Sequence, residues 1–487
     1  MARQRRRRFL RTCGLAGLAA LAGCASDTEQ EQEGGGGTET GGSDGGTGTE
    51  TEAGNGDSGG TDTEAKTEPE SDDSGNTDSN DDTETKSGGA GGGDDGSEEA
   101  INVGILLPFT GEYDWVGANV APVGEMLAER INDGGGIDGR EINLVQADTE
   151  ATVDASVTAA QKLINVDNVQ SIIGPTSLTF TGVVDLIQEN GVPVISPSAG
   201  TTELDSVGGE YIFRTVPSDT LGGRAIAKAA RNEQYNGVQS YGDMALMVGQ
   251  APALQSFTEP ISSSFQEFGG TIATTLNYST GKSSYNSEVA NVLDSDPGLI
   301  TLVGSPEDSA RIMRAAFQAG YEGNWFVTQD QTNQDFLDSV DPQITEGILG
   351  LQEADSPDAV DSGRIEEFTQ AVQEYSGSEP GLFAKNTYDA MTVVGLSMQA
   401  AVTADEEPSR ETIAANIPEV ANPPDTKVTD YTSGVSALEN GDDINYEGLV
   451  GPVDFDENGD ITSPFAVMRA EDSEWNQAAI LPAAELE

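Results

Sequence analysis

Two hydroxyl-rich stretches hold the residues best suited to bind a small anion: Thr176, Ser177 and Thr179 in GPTSLT, and Ser198, Ala199, Gly200 and Thr201 in SPSAGT. Each follows a short apolar run, QSIIG and VPVIS, that reads as a buried strand. Hydroxyls and free backbone N–H groups are thereby delivered to strand ends, where open α/β sheets bind ligands. Such groups cap the next helix or hold an anion, and two neighbouring strands aiming at one spot suit a carboxylate. A third run, NWFVTQD, ends at Asp330, whose carboxylate would be costly to desolvate without a cation. Tyr113 and Trp115 follow INVGILL in the first strand's exit loop, where they either cover the apolar part of a ligand or pack beneath the loop.

Chemistry beyond binding is narrowly bounded. The chain has no histidine and two cysteines, Cys13 and Cys24, both near the N-terminus. Ser-His-Asp triads, Cys-His pairs and histidine metal sites are therefore excluded, and no disulfide can staple the rest of the chain. A glycosidase-like carboxylate pair stays formally open among the 61 acidic residues of 100–487. Most of these are read as solvated surface, and the expectation is a binding protein, not an enzyme, with no cofactor and no metal.

These residues need elements to position them, and from residue 101 short apolar runs alternate with amphipathic stretches, the pattern of parallel α/β architecture. INVGILL, REINLVQA, QSIIG and VPVIS read as strands; VGEMLAERIN, VDASVTAAQKLIN and TGVVDLIQENG read as helices between them. After RTVPSD a second series begins, including AIAKAARNE, DMALMVG, SFTEPISSSFQEFGG, LITLVG, ARIMRAAFQAG and NWFVTQD. Almost 390 residues are too many for one α/β sheet, so two lobes are expected.

The N-terminus reads differently. Arg6, Arg7, Phe9 and Leu10 stand at the spacing of a twin-arginine export signal, and the apolar run Cys13 to Gly23 is too short to span a bilayer. Leu21, Ala22, Gly23 and Cys24 resemble a lipobox, which implies cleavage before Cys24 and a lipid on it. A plain cleaved signal with an incidental cysteine is the alternative. Residues 25–99, almost wholly Gly, Ser, Thr, Asp and Glu without an aromatic residue, read as a disordered acidic linker. As a coil of about 75 residues it would span roughly 45–50 Å.

Charge sets the partners and the solvent. The chain carries 84 acidic against 23 basic residues, a net charge of −61. Nucleic acid is excluded, because phosphate binding needs a basic footprint. Self-repulsion on this scale opposes compaction in dilute buffer but is screened in molar salt, where the Debye length falls to about 3 Å. A halophilic protein is the economical reading.

The stretches VGILLPFTGEYDWVG, ERINDGGGIDGREINLVQADTEA, SIIGPTSLTFTGVV, GVPVISPSAGTTEL, YIFRTVPSD and GPVDFDENGDI, spread over about 101–470, resemble those of type I periplasmic binding proteins, the solute receptors of branched-chain amino acid ABC transporters. The resemblance implies two doubly wound, Rossmann-like lobes joined by three crossovers, near Ser218, Glu353 and Gly451. Lobe one would comprise 100–218 and 354–450, lobe two 219–353 and 451–487, behind a signal at 1–24 and the linker. It also implies that the Thr176–Thr179 and Ser198–Thr201 loops hold a ligand's carboxylate while Asp330 pairs with its ammonium. Partners would be an amino acid or amide-like solute, ABC permease and ATPase subunits, and the extracellular face of the cytoplasmic membrane through a lipid on Cys24.

The chain departs from the family after DMALMVG. Gln250, Ala251 and Pro252 stand where relatives usually carry an acidic residue and a Tyr-Gly pair, and SPEDS after LITLVG has no aromatic ring. The expectation is a pocket wider or more polar than one for leucine, with Gln250 in its wall. Amides, urea, short peptides and aromatic acids stay open as ligands, as do a sensor of the same fold and a hydrolytic or structural lipoprotein.

Overall fold

The apolar runs of the first half become β1 (Ile101–Leu107), β2 (Ile142–Asp148), β3 (Ser171–Ile173), β4 (Val194–Ser196) and β5 (Ile212–Arg214). They pair in parallel in the order β2-β1-β3-β4-β5. The structure is a computed structural model that describes residues 99–111, 113–422 and 426–486; the export signal, Cys24 and the linker up to residue 98 lie outside the described residues. Helices cover both faces. On one face Leu163, Ile164 and Ile187 pack with Leu106 and Val194. On the other, Val123, Leu127 and Ile131 meet Met391, Val394 and Ile417 from far along the chain.

The same order recurs in the second sheet. It contains β6 (Asp243–Gly249), β7 (Thr271–Tyr278), β8 (Leu299–Val303), β9 (Asn324–Val327) and β10 (Leu349–Glu353), arranged β7-β6-β8-β9-β10. Two further strands, β11 (Thr426–Val428) and β12 (Ile444–Tyr446), form a small parallel pair. The last two, β13 (Phe465–Glu471) and β14 (Glu474–Leu481), extend the second sheet antiparallel from β10. Alternation along β6 shows why the run is apolar throughout. Met244, Leu246 and Val248 face the helices Asp219–Arg231 and Thr258–Glu267, while Ala245 and Met247 face Asn286–Leu293 and Pro306–Gln318. Both lobes belong to one compact unit.

Two local readings shift. The first helix runs Asp114–Asp133 and not from Val123, with Pro122 inside it. A proline argues for a helix start, but burial of Val116 and Val120 against Ile105 and Leu107 holds the two preceding turns. Trp115 is consequently on that helix's first turn and not in a loop. The third crossing also comes later than Gly451, because Val453, Phe455 and Ile461 still pack in the core of the first lobe, and only Phe465 enters the second sheet.

The crossings are tied to each other. The Asn386 side chain donates to the Thr215 carbonyl and to Glu353 Oε2, both at 2.7 Å, and the Ala354 N–H donates to the Pro464 carbonyl at 2.9 Å. Burial pushes the Glu353 carboxyl up to about 7, against the Asn386 hydrogen bond.

Candidate functional site

Between the C-terminal ends of the two sheets lies a solvent-open cleft of about 930 Å³. Thr176, Ser177, Ser198 and Gly200 line it from the first lobe, and Tyr113 and Trp115 stand beside them. The two hydroxyl loops meet directly, since the Thr201 N–H donates to Ser177 Oγ at 3.2 Å. Thr176 and Ser198 are 5% and 7% exposed, yet neither hydroxyl has a hydrogen-bond partner among the described residues. Buried hydroxyls are seldom left so; these two line the cleft, whereas Ser156, Thr179, Thr258 and Thr301 are equally unpartnered without lining it. Thr179, Ala199 and Thr201 are buried behind the cleft wall and do not line it. The loop Thr176–Thr179 does not open an α-helix: a 3-10 turn, Phe180–Gly182, intervenes before the short helix Val184–Asn190. The loop therefore presents hydroxyls and turn N–H groups to the cleft, not the N-terminus of an α-helix.

The cleft also holds two carboxylates. Asp330 lines the cleft from the 3-10 turn after β9, and burial pushes its carboxyl up to about 6. That turn is fastened on both sides: Gln331 Nε2 donates to the Gly304 carbonyl, and Gln329 Oε1 accepts the Glu353 N–H at 3.2 Å. Sequence reasoning missed a second carboxylate, Asp219, which is 9% exposed and begins the helix Asp219–Arg231 directly after the first crossing. Burial pushes it up to about 7; the Ser256 hydroxyl and Arg214 oppose this, and the negative charges of Asp205 and Asp330 add to it. Its signal in RTVPSD was ambiguous, because an acidic residue after a serine cap is ordinary helix-start chemistry.

Much of the remaining wall is apolar, where a pocket wider or more polar than one for leucine was the expectation. Leu254 and Ala253, from the short helix Pro252–Gln255, face the cleft with Phe257, Ile226, Leu351 and Phe465. Gln250 does not line it: its side chain is exposed and accepts from the Ser279 hydroxyl at 3.0 Å, because the following helix turns Leu254 inward. Phe383 adds a ring from the first lobe, stacked on Trp115 with centroids 6.2 Å apart. No local pattern could have announced a partner so distant in sequence. Among the described residues no group of three or more acidic or other ligating side chains is placed to hold a metal ion, and no helix is long and apolar enough to cross a membrane.

Residues 100–474 match the family described as periplasmic binding protein. The leucine-, isoleucine-, valine-, threonine- and alanine-binding protein of Pseudomonas aeruginosa is 24% identical over 320 residues, covering 65% of this chain and 83% of the relative. The chemotactic signal transduction system substrate-binding protein BasB of Halobacterium salinarum is 23% identical over 372 residues, covering 73% and 83%. Among solved structures, a leucine-binding protein of Thermotoga maritima superposes with a TM-score of 0.65 at 21% identity, covering 79% of this chain and 99% of the other. With two parallel sheets of one strand order, a cleft at their C-terminal ends and a family match over most of its length, the chain belongs to the periplasmic binding protein family, whose members matched here are binding proteins and not enzymes.

Proposed function

We propose that the protein is an extracytoplasmic receptor that captures an α-amino acid with an apolar side chain and delivers it to an ABC transporter permease. The observation that carries this reading is the set of groups that line the cleft. Unpartnered hydroxyls of Thr176 and Ser198, the carboxylates of Asp219 and Asp330 and an apolar wall all line one cleft, Asp219 directly against the hydroxyl loop at Gly200 and Asp330 on the second lobe. That is the complement of a zwitterion with a hydrocarbon tail. Thr176, Ser177, Ser198 and Gly200 would hold the carboxylate, with Thr179, Ala199 and Thr201 as the scaffold behind them. Asp330 and Asp219 would share the ammonium, and Tyr113, Trp115 and Phe383 would cover the tail. With the cleft between lobes that cross at 215–218, 353–356 and 462–464, closure would be favoured when both ends of a ligand are engaged.

In the same reading the twin-arginine signal exports the chain, Cys24 carries a lipid at the outer face of the membrane, and the acidic linker lets the lobes sample the medium near the permease. A sensor role is the second reading, favoured by the similarity to a chemotactic binding protein; it keeps the cleft and changes the partner. The deciding experiment is calorimetry in molar KCl with L-leucine, its deaminated analogue 4-methylpentanoate and leucinamide. Leucine alone should bind tightly. If leucinamide binds as well as leucine, the carboxylate pole is misassigned and an amide becomes the better ligand class.

A further inference from the structure

Among the described residues Arg214 is the largest side chain that is buried completely, with 1% exposure. It lies at the end of β5, beside the hydroxyl loop, where a buried cation would ordinarily be taken as the anchor of a bound carboxylate. Its hydrogen bonds exclude that role. Nε and Nη2 donate to the two oxygens of Asp460, both at 2.6 Å, and Nη2 also donates to Asp205 Oδ1 at 2.5 Å. Nη1 donates to the carbonyls of Thr201 at 3.0 Å and Ala199 at 3.4 Å. A guanidinium has five N–H donors, and all five are used. Two carboxylates also balance its charge.

The contacts continue outward from Asp205. Its Oδ1 accepts the Ser218 hydroxyl and its Oδ2 the Thr220 hydroxyl, each at 2.7 Å. These residues flank Asp219, whose N–H donates to the Gly200 carbonyl at 2.7 Å. One side chain thus fastens the hydroxyl loop directly and the start of the Asp219 helix through one intermediary.

We infer that Arg214 is the positioning residue of the cleft: it touches no ligand, but holds the Ser198–Thr201 loop and Asp219 in mutual register across the first crossing. The meaning of that register rests on the amino-acid reading above. Lysine cannot substitute, because an ammonium has three donors and no planar fork to reach Ala199, Thr201, Asp205 and Asp460 together.

The test uses Arg214→Lys and Asp205→Asn in the full chain, in molar KCl, with two readouts. The first is hydrogen exchange in segments 198–205 and 216–222; the second is the affinity for L-leucine and for 4-methylpentanoate. Arg214→Lys should open both segments and weaken both compounds by about tenfold or more. Asp205→Asn keeps the arginine's bonds to Asp460, Ala199 and Thr201, so it should open only 216–222. It should lower leucine affinity while leaving 4-methylpentanoate unchanged, a loss of discrimination that general destabilisation would not produce. Exchange at 198–205 unchanged by Arg214→Lys, or an unaltered preference for leucine in Asp205→Asn, overturns the inference. Should Arg214→Lys fail to fold, Asp205→Asn decides alone. Should the wild type bind neither compound, the amino-acid reading falls, while the exchange pattern still decides the role of Arg214.

Discussion

The carboxylate of Asp219 rests on the backbone of Gly200: a β-carbon built on Gly200 would stand 2.3 Å from Asp219 Oδ1, and the Asp219 N–H donates to the Gly200 carbonyl at 2.7 Å. The acidic pole and the hydroxyl loop therefore touch where the first crossing leaves the first lobe. Glycine is required there for close approach, since no side chain fits beneath the carboxylate.

Gly200→Ala should push Asp219 out of position without disturbing either sheet. Overpacking of this kind typically costs about 1–3 kcal/mol, so leucine affinity should fall by roughly fivefold to 100-fold. Calorimetry beside a melting curve checks it. Unchanged affinity would mean that Asp219 is not held against the loop.

Replacing Asp330 or Asp219 by Asn should remove a charge-assisted contact worth roughly 2–5 kcal/mol when buried, weakening leucine by about 30-fold or more. Ser177→Ala should cost less, about 1–2 kcal/mol, because it removes one hydroxyl of the set proposed to hold the carboxylate and the acceptor of the Thr201 N–H, while Thr176, Ser198 and the turn N–H groups remain. If Ser177→Ala proves more damaging than either, the ammonium contact assigned to the two carboxylates is wrong.

Burial raises the Asp219 carboxyl from 3.8 to about 7 and that of Asp330 to about 6. A raised carboxyl pKa means that the unliganded fold prefers the neutral form. Its contribution to stability is full below the ordinary value and is lost as pH rises through 6 and 7. A ligand ammonium has the opposite preference, so leucine binding should release protons near neutrality. Affinity should fall by about tenfold per pH unit below 7 and more steeply below 6. Calorimetry in buffers of different ionisation enthalpy measures the protons directly, and constant affinity from pH 8 to 5 would separate the ammonium from both carboxylates.

Cys24→Ser should release the protein into the medium with its ligand affinity intact. Fractionation of cells carrying the variant decides this, and retention at the membrane would point to another anchor.

The fragment 100–487 should fold only at high salt, since 61 acidic residues face 15 basic ones there. Arg214 and most other cations are already committed to local pairs, such as Arg224 with Glu267 and Arg140 with Glu407. Circular dichroism from dilute buffer to several molar KCl follows the transition; a melting temperature independent of salt would refute the halophilic reading.

Much of this protein was legible in its sequence because the signals are local. Period-2 and period-3.6 apolar patterns depend on neighbours a few residues away, so VDASVTAAQKLIN appears as the helix Val153–Asn165 and DMALMVG as β6. The hydroxyl loops follow from where those strands end, and the absence of histidine closes whole classes of catalysis without reference to shape. What only the tertiary structure decided is which side chains share the cleft. Asp219 and Asp330 are two among the 61 acidic residues of 100–487, and lining the cleft distinguishes them, not chain position and not burial, which Glu353 and Asp389 share. Phe383 reaches Trp115 from a segment that joins the first lobe only after the chain has built most of the second. Gln250 and Leu254 exchange places between wall and solvent through one short helix. Sequence periodicity reports which face of an element is buried; it carries no record of which distant element buries it, and a cleft between lobes is made of such distant pairings.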